Sequence, residues 1–162
     1  MHTGNVTVIN GWQLFGHPLF IERLDALVAE AEALAEVSPD DFHKHSLYKL
    51  YEKVEDAVLQ RVPADPCSAT YHLGNTLGED FRHWKRVKSG LPDRYRLFFQ
   101  YRSDAPKSII YAWLNDNLTL RKAGARTDVY RVFRAMLEGG RMPNSFQELM
   151  RAATPMEAGG EE

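Results

Sequence analysis

Across residues 20–35 the apolar side chains Phe20, Leu24, Leu27, Val28, Ala31, Leu34 and Ala35 recur at helical spacing, while Glu22, Glu30, Glu32 and Glu36 fall off that stripe. Such a stripe buries one side of a helix and leaves the other in water. His17-Pro18 puts proline in a first turn, where its missing N–H costs nothing, so a helix is predicted to begin there. A second start is predicted at Ser38-Pro39-Asp40-Asp41, a hydroxyl cap followed by proline and by carboxylates at the positive end of the dipole. Its inward stripe is Leu47, Leu50, Tyr51, Val54 and Val58, and the run from Pro63 to Pro66 ends it.

Past residue 80 the period falls to two. Residues 83–88, 94–102 and 108–115 read as three strands, joined by turns at 89–93 and 103–107. The third is apolar on both faces, with Ile109, Tyr111 and Trp113 against Ile110, Ala112 and Leu114, which predicts a central position. Asp128 is placed to cap a helix over 129–138, with Val129, Val132, Phe133, Met136 and Leu137 inward, and Gly139-Gly140 stops it. A last short helix is predicted from Asn144 through Phe146, Leu149 and Met150, and the Gly- and Glu-rich stretch 154–162 is predicted to be disordered. The expected architecture is α+β in one domain over residues 1–153: two N-terminal helices packed on a small antiparallel sheet, with further helices at the C-terminus.

Composition adds little, but the charge distribution changes the picture. With 44% hydrophobic and 26% charged residues the chain has the make-up of an ordinary folded domain. No apolar run is long enough to span a bilayer and no leader pattern opens the chain. Cys67 is the single cysteine, which rules out an intramolecular disulfide and points to a reducing cytoplasm. The net charge of -2 conceals an acidic half, residues 19–66 at -6, and a basic one, residues 82–134 at +9. A basic half on a near-neutral protein points to a polyanionic ligand at one surface. The second strand fits this, because Tyr95, Leu97, Phe99 and Tyr101 alternate with Arg94, Arg96, Gln100 and Arg102, broken by Phe98. Guanidinium groups in a row on a rigid strand suit phosphate recognition; the plainer alternative is an exterior sheet face made soluble by arginine.

At these residues the chain resembles the YhaV-type toxins of bacterial toxin–antitoxin pairs, within the RelE-like ribonuclease group. The resemblance is carried by Asn10-Gly11-Trp12, His17-Pro18, the stretch from Asp25 to Glu30, Trp84 to Lys88 and Arg94 to Tyr101. Trp113-Leu114-Asn115-Asp116, Thr119-Leu120-Arg121, Thr127-Asp128, Tyr130 and Val132-Phe133 complete it, in order along nearly the whole chain. It implies a RelE-like fold and cleavage of mRNA, often on the translating ribosome. It also implies a PrlF-like antitoxin as partner, with operator DNA contacted mainly through that antitoxin. Residue by residue, it implies an active-site arginine at Arg96 and basic residues from the preceding strand, for which Lys85, Arg86 and Lys88 compete. A further arginine and a tyrosine would be Arg121 and Tyr130, with Arg126 an alternative to Arg121 because the spacing to Tyr130 departs from that of RelE.

RNA cleavage without a metal or other cofactor uses the substrate's own 2′-hydroxyl as nucleophile. The protein then has to position that group, take its proton, stabilise charge on the phosphoryl oxygens and protonate the leaving oxygen. Arg96 and Arg121 suit charge stabilisation, Lys85 or Lys88 the proton transfer if neighbouring cations and burial lower its pKa, and Tyr130 orientation of the hydroxyl or stacking on a base. Arg86, Arg94, Arg102, Lys122 and Arg126 are the candidates for holding the RNA backbone. No metal site is expected, since neither His43 with His45 nor Cys67 with His72 has structural-zinc spacing. His72 and His83 flank the basic region and one of them stands as a minor candidate for proton donation, and Trp84 either packs or stacks on RNA. The competing function is a non-catalytic RNA- or ribosome-binding protein, or a co-repressor subunit, using the same basic face.

Overall fold

The chain enters its sheet through an Asn-Gly turn. Asn10 (φ 52°) and Gly11 (φ 84°) both adopt left-handed backbone, which lets β1 (Val8–Ile9) fold directly back onto β2 (Trp12–Gly16). In the computed structural model, residues 6–157 are described. Helix α1 (Pro18–Val37) follows, then a short 3-10 turn over Phe42–Lys44 and α2 (Ser46–Asp56). The helix continues through a π-turn at Ala57–Arg61 into α3 (Val62–Ala64). After a looped stretch come β3 (Lys85–Val87), β4 (Leu97–Arg102) and β5 (Ser108–Leu114), then α4 (Val129–Glu138), α5 (Phe146–Ala152) and β6 (Thr154–Pro155).

The α+β class and the order of helices and strands follow the sequence pattern, and β5 is central as its two apolar faces required: the strand order is β1-β2-β5-β4-β3. The sheet is mixed, however, and not wholly antiparallel. β2 lies parallel to β5, a pairing allowed because two helices and a β-hairpin separate the strands in sequence. β1 and β2 went unpredicted, although the Asn-Gly turn was their signal. The expected disorder from Thr154 is also corrected. Thr154 and Pro155 pair with Gly16 and Phe15 of β2, and Glu157 bridges to Val6, so backbone pairing outweighs the Gly- and Glu-rich composition there. Residues 158–162 lie outside the described part.

The start of the second helix is the other correction. Ser38 ends α1, its N–H bonded to Leu34 O, and does not begin α2. The cap of α2 is His45, whose Nδ1 accepts from Leu47 N at 3.0 Å, just as His17 Nδ1 accepts from Leu19 N at the start of α1. Histidine in extended backbone caps here because a ring nitrogen reaches the orphan amide two residues on, satisfying a donor the helix cannot.

Two cores result, one on each face of the sheet. The first packs Phe20 and Leu27 of α1 and Leu50, Val54 and Val58 of the second helix against Leu97, Phe99, Ile109 and Tyr111. The second packs Val129, Phe133, Met136 and Leu137 of α4 and Leu149 of α5 against Phe98, Ile110, Trp113 and Trp84. Phe133 stacks on Phe98 at 4.1 Å between ring centres and on Trp113 at 5.8 Å. Trp84 meets Phe133 edge-on and donates from Nε1 to Asn144 Oδ1 at 2.9 Å, so it packs and is not available to RNA. Because both faces are covered, β4 is not the one-sided strand its alternation suggested: Gln100 is buried, and Arg96 is only 8% exposed.

Candidate active site

Arginine reaches the site because β4 starts late. Arg94, Tyr95 and Arg96 precede the strand, and Arg94 has left-handed backbone (φ 75°), rare for a residue with a side chain. This bend is pinned from across the molecule: Arg94 O accepts from Arg121 N at 2.9 Å and from Asn115 Nδ2 at 3.1 Å. Asn115 is fully buried at the end of β5, and every polar atom of its amide is used. Its Oδ1 accepts from Arg96 N at 2.8 Å and its Nδ2 also donates to Thr119 O at 2.8 Å. One side chain therefore ties the approach to β4 to the loop that carries Arg121. Asp116 tightens that loop by accepting from Leu118 N and Thr119 Oγ1.

Tyr130 stands in the first turn of α4, behind this junction. Its Oη accepts from Arg96 Nε at 2.9 Å, and its ring lies edge-on to Phe98. The guanidinium carbons of Arg121, Arg86 and Arg96 lie 5.1, 5.8 and 5.9 Å from its ring centre. Three cations thus gather on one phenol, whose electron-rich face offsets part of their mutual repulsion. Arg96 is fixed further by Nη1 donating to Tyr95 O at 2.8 Å. In Arg86, Nε and Nη1 are buried with no hydrogen-bond partner among the described residues, and its guanidinium lies over the Tyr130 ring.

Asp128 organises the other edge. Its Oδ1 accepts from Arg121 Nη1 at 2.7 Å and from Lys122 N, and its Oδ2 accepts from Tyr130 N, so the residue predicted to cap α4 also clamps Arg121. Burial pushes the Asp128 carboxyl upward, but the Arg121 hydrogen bond and charge and the two amides outweigh it and leave the pKa below its usual value.

In front of these groups opens a cleft of about 570 Å³ lined by Arg94, Arg96, Arg121 and Lys88, with Asp93 its one carboxylate. Its floor loop is held by Arg61 of the π-turn, which pairs with Asp56 and donates from Nη1 to Ser89 O at 2.9 Å. Residue 90 has left-handed backbone (φ 87°), which favours glycine, and a Cβ there would displace the tip of Arg61 that holds this loop.

The structure therefore brings together Arg96, Arg121, Tyr130, Arg86, Arg94 and Lys88, and separates the others. Lys85 points to the opposite face, because it is one residue from Arg86 on a strand: it pairs with Phe99 and lies near Cys67, and burial lowers its pKa. Of the two lysines named for proton transfer, Lys88 lines the arginine cleft and Lys85 does not. Tyr130 is 7% exposed with guanidiniums around its ring, so it offers no face to a base. Arg102 lies at the far end of β4 over the Phe146 ring, and the side chains of Lys122 and Arg126 are exposed and make no described hydrogen bond or ion pair. Of the two competing arginines, Arg121 lines the cleft and is held by Asp128, whereas Arg126 does neither. His83 bonds Asn144 O and does not line the cleft. Sequence reasoning missed Asn115, Asp93 and the clamping role of Asp128; a buried amide at a strand end carries no local signal. Among the described residues no three His, Cys, Asp or Glu side chains gather as a metal site would require, and no helix is long and apolar enough to cross a membrane.

A family described as a toxin with endonuclease activity, of a toxin–antitoxin system, matches residues 14–154. Toxin YhaV of Escherichia coli O6:H1 is 42% identical over 142 residues, covering 87% of this chain and 91% of that protein. The ribonuclease toxin YhaV of Escherichia coli strain K12 is 41% identical over 144 residues, covering 88% and 92%. No solved structure matches the chain.

Proposed function

The chain belongs to the YhaV family of toxins with endonuclease activity, and we propose that it cleaves mRNA without a metal, at the arginine cleft. The observation that carries this reading is the gathering of Arg86, Arg96 and Arg121 on Tyr130 beside a cleft with four cationic side chains and one carboxylate. Such an excess of positive charge in a partly enclosed site favours a phosphodiester, and favours it more as charge grows on the phosphoryl oxygens in the transition state.

In this reading Arg96 and Arg121 hold the two non-bridging oxygens. Tyr130 and Asp128 are positioning residues that fix the two guanidiniums. Asp93 takes the proton of the 2′-hydroxyl as its oxygen bonds to phosphorus. Lys88 gives a proton to the 5′-oxygen as the phosphorus–oxygen bond to it breaks. The products are a 2′,3′-cyclic phosphate and a 5′-hydroxyl, and the enzyme returns to its starting charge by exchanging one proton with water at each group. The partner is an antitoxin, of PrlF-like type, that also carries the operator contacts; the substrate is mRNA, presented by the translating ribosome in the cytoplasm.

Purified protein incubated in EDTA with labelled RNA, alone and with translating ribosomes, tests this. Cleavage that persists in EDTA, leaves a cyclic phosphate, and stops when the 2′-hydroxyl at the cut site is replaced by hydrogen is the expected result. Loss of cleavage in EDTA, or cutting of the 2′-deoxy substrate, overturns it.

A further inference from the structure

Behind the segment Pro92 to Arg96 lies a second cleft of the same volume, about 570 Å³, between that segment and helices α1 and α2. We propose that this second cleft receives the base next to the scissile phosphate and selects bases that carry an exocyclic amino group. The inference rests on the RNA-cleaving reading of the arginine cleft and gives that site a sequence preference.

The two clefts share a wall and differ in charge. Arg94 and Arg96 face the first, while Tyr95 between them lines the second. The left-handed backbone at Arg94 is held at this junction by Asn115 and Arg121, so the division is built into the fold. The first cleft holds four cations against one carboxylate. The second holds Glu30 and Asp116 against Arg23 alone, and so repels a phosphate where the first attracts one. A nucleotide chain whose phosphate sits among the arginines can therefore place a base, and not its backbone, on the far side of the wall.

The groups there match a base. Tyr95 is partly exposed and presents an aromatic side chain on which a base can stack. Asp116 spends Oδ1 on its own loop, while Oδ2 makes no described hydrogen bond. Glu30 and Asn117 are exposed on the rim with no described hydrogen bond from their side chains. Carboxylates accept from amino groups and cannot donate, so they favour guanine, adenine or cytosine over uracil, which has no amino group and whose one ring N–H is flanked by two carbonyls that a carboxylate repels. Guanine suits a carboxylate best, since its ring N–H and amino group lie side by side. Arg23 Nε donates to Asn115 O at 3.1 Å, which links this cleft to the residue that fixes Arg96.

The test is equilibrium binding of the full chain to short RNAs made uncleavable by 2′-O-methyl substitution at the cut site, with each of the four bases on either side of the phosphate. Amino-bearing bases on one side should bind about tenfold more tightly than uracil. Tyr95→Ala should weaken every oligomer about tenfold. Glu30→Gln with Asn117→Ala, surface changes that leave the fold intact, should flatten the preference with uracil binding unchanged. Equal binding of all four bases, or a preference unaltered in both variants, overturns the proposal. Arg96→Ala distinguishes the two failures: if it leaves the cleavage rate of an unmodified RNA unchanged, the arginine-cleft reading fails, whereas the base preference is read independently from wild-type binding.

Discussion

Lys85 and Arg86 are neighbours in one short strand, and the sheet assigns them to different worlds. Lys85 shares its face with Val87 and Phe99, under α1 and α2, where Tyr111 spends its hydroxyl on Val58 O and burial disfavours the lysine's charge. Arg86 shares its face with Phe98, under α4, where Tyr130 supplies a ring for three guanidiniums and Asp128 supplies a buried carboxylate. Both residues are cationic, and both lie within eleven residues of Arg96 in sequence. What separates them is which helix covers the strand, and only one of the two helical layers brings groups that tolerate concentrated positive charge. A cation becomes part of a phosphate site by its surroundings as much as by its own chemistry.

The comparison is broken most severely at Arg96. Arg96→Ala should lower kcat by about 10²–10³-fold with a smaller change in KM, because the guanidinium matters most when the phosphoryl oxygens gain charge. Steady-state cleavage of a labelled RNA reads this directly. Tyr130→Phe keeps the ring and removes the acceptor of Arg96 Nε, so a loss of roughly tenfold in kcat is expected, with thermal stability close to wild type. A rate unchanged by Tyr130→Phe would mean that Arg96 is held well enough by Tyr95 O and Asn115 alone.

How far these groups were legible in the sequence follows the same division. Periodicity exposed α1, the strands β3 to β5 and α4 with its Asp128 cap, because each depends on local spacing. It failed at β2, whose parallel partner lies more than ninety residues away by register with Ser108 to Tyr111. It failed at α2 because proline after a hydroxyl reads as a helix start, yet the preceding helix claimed Ser38. For the site, Arg96, Arg121 and Tyr130 were marked by the family resemblance. Choosing Lys88 over Lys85 needed the register of β3, which no pattern of three residues fixes. Asn115 and Asp93 act across turns whose shape the sequence does not state.

Acid acts on the α4 side of the sheet. The Asp128 pKa is lowered by folding, so its ionised form adds stability that is complete above the ordinary aspartate value of about 4 and is lost as pH falls through the lower folded value. Melting curves should show Asp128→Asn a few degrees below wild type at pH 6 to 8, with the gap closing below about pH 4. A gap that widens in acid would contradict the clamp. The smallest effect belongs to the other face: Lys85→Met should leave the cleavage rate within about twofold, since it faces away from the arginine cleft.

Guanidinium contact with the phosphoryl oxygens is the centre of the proposed chemistry, and sulfur substitution at the scissile phosphate tests that contact most directly. Single-turnover cleavage of the two phosphorothioate diastereomers should be slowed in the wild type for at least one of them, and Arg96→Ala should erase most of that slowing. An identical sulfur effect in wild type and Arg96→Ala would show that Arg96 does not touch the reacting phosphate.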